Sequence, residues 1–451
     1  SKTKIIFQCN SCGHTSTKWT GKCIECGEWN TISEQILQPS KKEDSFDFQV
    51  QEPLSIINIS ILGLSFLFLM IYQRTWEWLF HPVIKLLFLL FLYLIFNSTI
   101  SIDPEIGIYR NLGFFRFILL FAAFNYFFHH SKNFKFVILL WLITILVVFG
   151  DVFIEMLEYR MDIQSGKIGI VSMYRSFSFF IDEPIVGGYL NAFYLMLIGY
   201  LIYYNKKFPF LKNNYFSILL SLIFLSLIIL TGERSNGIKA LLGLTIFYFI
   251  YYDLLINKKR LFIFVTSFFL LISALSLNEN LKHRYFWQYY VNLSDPKESQ
   301  ADGTIINEFK KRNIYYNLYK SGYKVFHNNP LFGVGNKNYR IEACDQKNLE
   351  HKYLCATHPH QLYFEFLAEH GLVGSIILLS LIFNLLFKNI KIIYSNKNTI
   401  QIGAFCYLIC VFVPLLPSGS FFNDYNLTLF CMNLSILYAS NSQTNIMNFK
   451  N

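Results

Sequence analysis

The sequence predicts an all-α polytopic membrane protein of about 11 transmembrane helices, with a large outer loop and a small cysteine-bearing module ahead of the helices. Three observations carry that prediction. Of 451 residues, 53% are hydrophobic, 18% aromatic and only 15% charged, whereas a soluble domain carries about a quarter charged residues. Apolar runs recur from Leu54 onward, each close to the roughly 20 residues that a helix needs to cross a hydrocarbon core. The net charge of +10 gathers in short loops, which marks the cytoplasmic ends of spanning helices rather than a nucleic-acid surface.

Residues 1–34 form the cysteine module and 35–53 a polar linker with the charge run Lys41, Lys42, Glu43, Asp44. The N-terminus is polar where a cleavable signal peptide would need an apolar core. Membrane helices are expected within 54–277, near 54–72, 79–96, 112–128, 134–150, 184–204, 215–230, 237–255 and 261–277. Residues 278–370 are the large hydrophilic loop, 371–440 hold further helices near 371–387, 400–416 and 425–438, and 441–451 are a tail. Strands of this length would leave backbone groups unpaired in lipid, so the runs are helices.

Orientation follows from the lysines. Lys132, Lys135, Lys206, Lys207, Lys212, Lys258, Lys259, Arg260, Lys388, Lys391 and Lys397 fall in alternate loops, which are therefore cytoplasmic. The loops at Asp103 and Glu105, at 151–183, at Glu233 and Arg234, and at 278–370 then lie on the periplasmic face of a bacterial inner membrane. The same alternation puts the N-terminal module outside, where thiols oxidise.

In that module, Cys9-x-x-Cys12 and Cys23-x-x-Cys26 form two knuckles. Four thiolates from two such turns can surround a structural Zn²⁺ tetrahedrally. With Phe7 and Gln8, Lys18-Trp19-Thr20-Gly21-Lys22 and Trp29-Asn30-Thr31, the module resembles the N-terminal zinc ribbon of the RadA (Sms) DNA-repair ATPases. No GxxxxGK[ST] phosphate loop follows, so the resemblance implies a fragment of that family, not a recombination ATPase. The ribbon is expected to be a graft on a floppy linker, without a role in the chemistry of the membrane part.

Four segments of that part share one outer face. They are Leu230-Thr231-Gly232-Glu233-Arg234-Ser235 with Gly237; Arg175 to Tyr189; Pro330-Leu331-Phe332-Gly333-Val334-Gly335; and His360-Gln361 followed, after nine residues, by Gly371-x-x-Gly374. In chain order they resemble the O-antigen ligase and Wzy-type polymerase superfamily. The resemblance implies a metal-independent glycosyltransferase that moves a glycan from a polyprenyl pyrophosphate to a lipid A-core or growing-glycan acceptor. It casts His360 as base or acceptor-positioning residue, and Arg234 and Arg312 as pyrophosphate clamps. Arg175, Arg340, Gln361 and Asp424 are further candidates for binding substrate, Asp424 also for orienting a base.

The chemistry fits those residue types. Arginine offers a rigid fork to phosphate oxygens, and a neutral imidazole can take the proton of an attacking hydroxyl. No paired-aspartate metal motif appears in the outer loops. Cys344 and Cys355, in an oxidising compartment, are expected to form a disulfide ahead of His358 and His360. Ile314, Tyr315, Leu318, Tyr319, Tyr323 and Phe326 recur at helical spacing, as in an amphipathic helix on the membrane or against the bundle. A transporter or flippase would also explain the helices but not the four motifs; a DNA-repair role would rest on the knuckles alone.

Overall fold

The computed structural model describes residues 4–9, 15–16, 32–37, 52–128, 131–164, 175–180, 183–205, 214–252, 265–266, 279–282, 285, 314–345, 347 and 353–448. The chain divides into two compact units, Ser1–Leu54 and Ser55–Asn451.

The first unit holds a three-stranded antiparallel sheet in the order β2-β1-β3, with β1 Lys4–Cys9, β2 Thr15–Ser16 and β3 Ile32–Leu37. Phe7 pairs with Ser16, and Cys9 with Ile32. Cys9, the first cysteine of the first CxxC pair, ends β1.

The described part of the second unit is helical. Its helices are α1 Glu52–Gln73, α2 Pro82–Thr99, α3 Pro104–Gly113, α4 Phe115–Phe128, α5 Ser131–Gln164, α6 Val186–Asn205, α7 Asn214–Leu230 and α8 Arg234–Tyr252. After one turn at Glu279–Lys282 come α9 Ile314–Asn328, α10 Tyr339–Ala343, α11 Leu362–Phe387, α12 Ile390–Asn396, α13 Thr399–Val411 and α14 Asp424–Ala439. Among the described residues, five helical segments are long and apolar enough to cross a membrane, and three shorter ones are apolar. α5 leaves Phe136, Leu139, Leu140, Ile143, Leu146 and Val147 exposed along its length. Water would not tolerate that stripe on a monomer, and lipid does.

α13 is buried almost throughout and packs against α6, α8 and α14. Two glycines set the closest approach: a Cβ on Gly199 would lie 2.2 Å from the Thr399 carbonyl oxygen, and one on Gly403 2.3 Å from that of Leu195. Thr399 Oγ1 donates to the Gly199 carbonyl at 2.6 Å across the contact.

Two expectations change and one open alternative is decided. The helix expected to end at Gly150 runs on to Gln164, because Asp151 and Glu155 find partners in Ser178 Oγ (2.7 Å) and the Phe177 and Ser178 amides (3.0 Å each). The tyrosine-rich helix buries Leu318, Ser321, Gly322 and Val325 and packs on α11, so bundle packing produces its periodicity. The helix expected near 371–387 begins at Leu362 and is broken inside at Gly371 (φ 65°). The run at 261–277 lies outside the described residues except for 265–266.

The break is where the fold is most demanding. In an unbroken helix, the Leu372 and Val373 amides would bond to the carbonyls of Ala368 and Glu369. Here they donate instead to Pro330 and Leu331 (2.8 and 3.0 Å), while the two released carbonyls accept from Val334 and Gly335 (2.9 Å each). Two lost bonds are replaced by four. A Cβ on Gly371 would meet the Leu331 carbonyl carbon at 2.3 Å, and one on Gly333 (φ 70°) the Glu369 carbonyl carbon at 2.4 Å.

Gly371→Ala and Gly333→Ala should each destabilise the fold by at least the roughly 1–3 kcal/mol of a non-glycine residue held left-handed. Gly150→Ala, at an exposed helical position with no atom within 4 Å of the added Cβ, is the neutral control. Thermal melting in detergent should rank the three that way; equal melting temperatures would contradict the junction.

Candidate functional site

Residues 353–360 lead into α11 as irregular chain, and the Cys344–Cys355 disulfide ties this segment to the end of α10 (Cα–Cα 4.5 Å). Pro359 packs on Gly322 of α9. His360 is held in the left-handed region (φ 55°), with its carbonyl accepting from the Ser418 amide at 2.9 Å. Its ring lies 4.0 Å from that of His358 and 6.5 Å from that of Tyr315, centroid to centroid. Burial, aided by the charges of His360 and Lys337, pushes the His358 imidazole down to about 3. Burial also lowers His360 below its ordinary value. Both rings are therefore neutral near pH 7.

Gln361 is buried and serves as the N-cap of α11, its side-chain oxygen accepting from the Phe364 amide at 3.0 Å. One turn further, fully buried Glu365 accepts from Ser420 Oγ (2.5 Å) and from the Phe421 amide (3.1 Å). Lys337 Nζ donates to the same Ser420 hydroxyl at 2.5 Å, and its charge acts on both Glu365 and Glu369.

The arginine turn is a second neighbourhood. Gly232 (φ 75°) bends the chain between α7 and α8. Buried Glu233 then accepts from the Gly187 amide (2.5 Å) and Asn236 Nδ2 (2.6 Å). Burial raises its carboxyl pKa, against the pull of these bonds and of the Arg175 charge. Arg175 donates to the Pro184 carbonyl at 2.9 Å, and its neighbour Ser176 donates its amide to Thr231 at 3.0 Å. Arg234 opens α8, half-buried. Arg175 and Arg234 thus converge on one turn.

The two neighbourhoods meet at the start of α14. Asp424 is clamped by Arg110 Nη1 (3.1 Å) and by Arg116 Nη2. Next to it, the Tyr425 hydroxyl donates to the Ile185 carbonyl at 3.0 Å. Arg110, Arg116, Lys337 and Glu365 were not singled out in the sequence. Cations on the face opposite the lysine-rich loops run against the usual charge bias, and that signal could have found the two arginines.

Arg340 stands exposed on α10. Arg312, Cys12, Cys23 and Cys26 lie outside the described residues, and of Cys9 only the backbone is described.

Comparison with known proteins sorts the two units. Residues 219–379, which contain the arginine turn, His360 and the α11 break, match the family model described as O-antigen ligase. Residues 7–34 match the model described as rubredoxin metal binding domain. The curated relatives align near the ribbon's length only. The DNA repair protein RadA of Bacillus subtilis is 45% identical over 53 residues, 11% of this chain and 12% of its own. That of Listeria monocytogenes is 49% identical over 53 residues (12% and 11%), and that of Treponema pallidum 52% over 33 (7% of each). The chain spans about an eighth or less of the length of these relatives.

Asp424→Asn should leave two arginines under-compensated and lower stability by about 1–3 kcal/mol, mostly through the better-buried Arg116. Melting of the variant against the parent measures this. An unchanged melting temperature would mean that solvent screens the cluster.

Proposed function

We propose that the helical unit is a membrane glycosyltransferase that moves a glycan from a polyprenyl pyrophosphate to an acceptor hydroxyl, in the manner of an O-antigen ligase. The observation that carries the reading is the junction in α11. It locks two of the motif segments together, and the matched stretch also contains a neutral His360 and the cationic Arg234 turn. Lys388 bears electrostatically on His81 at the far ends of α11 and α2, away from these segments. That separation supports a cytoplasmic lysine-rich end and a periplasmic site in a bacterial inner membrane, with about 11 spans in all.

In the proposed reaction His360 accepts the proton of the acceptor hydroxyl as its oxygen attacks the anomeric carbon. A glycosidic bond forms, the bond from anomeric carbon to phosphate oxygen breaks, and the lipid pyrophosphate departs as an anion. Arg234 and Arg312 take up that charge with their guanidinium forks, so the reading is metal-independent. Arg175 and Arg340 supply further positive charge, Gln361 orients the histidine segment, and Asp424 acts through Arg110 and Arg116. The ribbon at 1–34 holds a structural zinc on Cys9, Cys12, Cys23 and Cys26 and takes no part in transfer; removing residues 1–53 should leave the transfer rate unchanged.

Purified protein with a lipid-linked donor tests the assignment. His360→Ala should abolish transfer while donor binding persists. The parent's rate should fall as pH drops through the His360 pKa, because protonation removes the base. Burial lowers that pKa, so the acid limb should sit below about 6.5. An acid limb above that value, or transfer by His360→Ala, refutes the role. Arg234→Ala should slow transfer by about two orders of magnitude, with Arg234→Lys rescuing only in part. Full activity in the lysine variant would reduce Arg234 to a membrane anchor. Deleting the gene and running surface glycans on a gel separates two outcomes: loss of all capped lipid A marks a ligase, and capping with single units a polymerase.

A further inference from the structure

We propose that Glu365 is the positioning residue of His360, acting through residues 418–421 with Lys337 as its counter-charge. His360 holds a left-handed backbone (φ 55°), a conformation strained for a residue with a β-carbon, which persists only where its surroundings impose it. The contacts that impose it can be followed outward. The His360 carbonyl is fixed by the Ser418 amide at 2.9 Å. Two residues on, Ser420 Oγ and the Phe421 amide are fixed by the Glu365 carboxylate at 2.5 and 3.1 Å. Lys337 Nζ holds the same Ser420 hydroxyl from its other side at 2.5 Å.

Lys337 is itself left-handed (φ 67°), and it is held from the same helix. Glu369, one turn after Glu365, accepts the Gly335 amide on its main-chain carbonyl at 2.9 Å, and the Lys337 charge acts on its carboxyl. Two residues four apart on one face of α11 therefore reach both unusual backbones, Glu369 through its carbonyl on the segment just before Lys337 and Glu365 through the serine that the lysine's head also holds. Glu365 is 0% exposed and Glu369 1%. An apolar residue would fill either position at lower desolvation cost, so packing alone does not account for the charges. Ionisable groups inside an apolar membrane helix mark function rather than stability. What Glu365 controls is the direction in which the His360 segment enters the site.

The catalytic part of this inference rests on the transferase reading; the positional part does not. The test therefore has two arms, both on the full-length protein in nanodiscs. In the first, His360 is labelled with diethyl pyrocarbonate and its rate read by peptide mass spectrometry, with exposed His327 as internal reference. Glu365→Ala should raise the His360:His327 labelling ratio, and Glu365→Gln, which can still accept both bonds, should restore most of the protection. In the second, Glu365→Ala should lower kcat by about two orders of magnitude, as expected of a displaced base, with the donor KM little changed. If Glu365→Ala does not fold, Ser420→Ala replaces it, with Ser420→Thr as the hydroxyl-retaining rescue. Folded variants with parental labelling and parental kcat would overturn the proposal. Altered labelling in a protein that shows no transfer with any lipid-linked donor would uphold the positioning and defeat the transferase reading instead.

Discussion

A helix interrupted within a membrane must have its broken hydrogen bonds made good by protein, because the hydrocarbon offers no donors or acceptors. The rest of the helical unit depends on how α11 meets that demand at Gly371. The 330–335 segment enters the gap as a two-sided template, taking the Leu372 and Val373 amides and capping the Ala368 and Glu369 carbonyls. Asparagines then bind the template to α2 and α3. Asn97 donates to the Glu369 carbonyl (3.3 Å) and accepts the Asn336 amide (2.7 Å), while Asn336 reaches Asn111 (2.5 Å) and Asn338 accepts from the Asp103 amide (2.8 Å). A chain of amide side chains inside an apolar bundle is stable only when its members are paired, so the break, the template and the first hairpin of helices form as one piece.

The polar residues near the candidate site are organised from that piece outward. Lys337 follows the template directly, and its head reaches the connection between α13 and α14 through Ser420. That connection ends in Asp424 and Tyr425, which tie it to Arg110, Arg116 and the 185–188 turn. Neither arginine-bearing region touches the other directly in these contacts; the start of α14 relays between them. A substrate with an anionic head and a polar acceptor would therefore meet groups whose mutual placement is set by one short connection. The disulfide at Cys344–Cys355 closes the loop ahead of His358, which limits the freedom of the irregular 353–360 segment.

Much of this was legible in the chain. Helix locations followed from the apolar runs, since no other structure satisfies backbone groups in lipid. The two glycine motifs, the arginine turn and the cysteine pair were visible as residue types at fixed spacing. What escaped was everything that depends on a distant partner. α5 passes Gly150 because Asp151 and Glu155 bond to Ser178 and its neighbours, and nothing local announces those partners. Gln361 reads as a polar residue beside a histidine, and only the Phe364 amide above it shows a cap. Glu365 reads as one charge in an apolar run, and Lys337 as a loop lysine.

The sequence by itself determined that the chain is a bundle of lipid-facing helices with a separate cysteine ribbon, because hydropathy and thiol spacing act locally and need no fold to be read. Tertiary structure alone decided which loops meet. His360 and Lys337 adopt backbones that their own residue types disfavour, and only contacts from α11 and the α13–α14 connection can hold them there. Buried Glu365, a serine hydroxyl and a gap in a helix carry that decision. Their effect depends on distances of about 3 Å between residues tens of positions apart, which no spacing along the chain encodes.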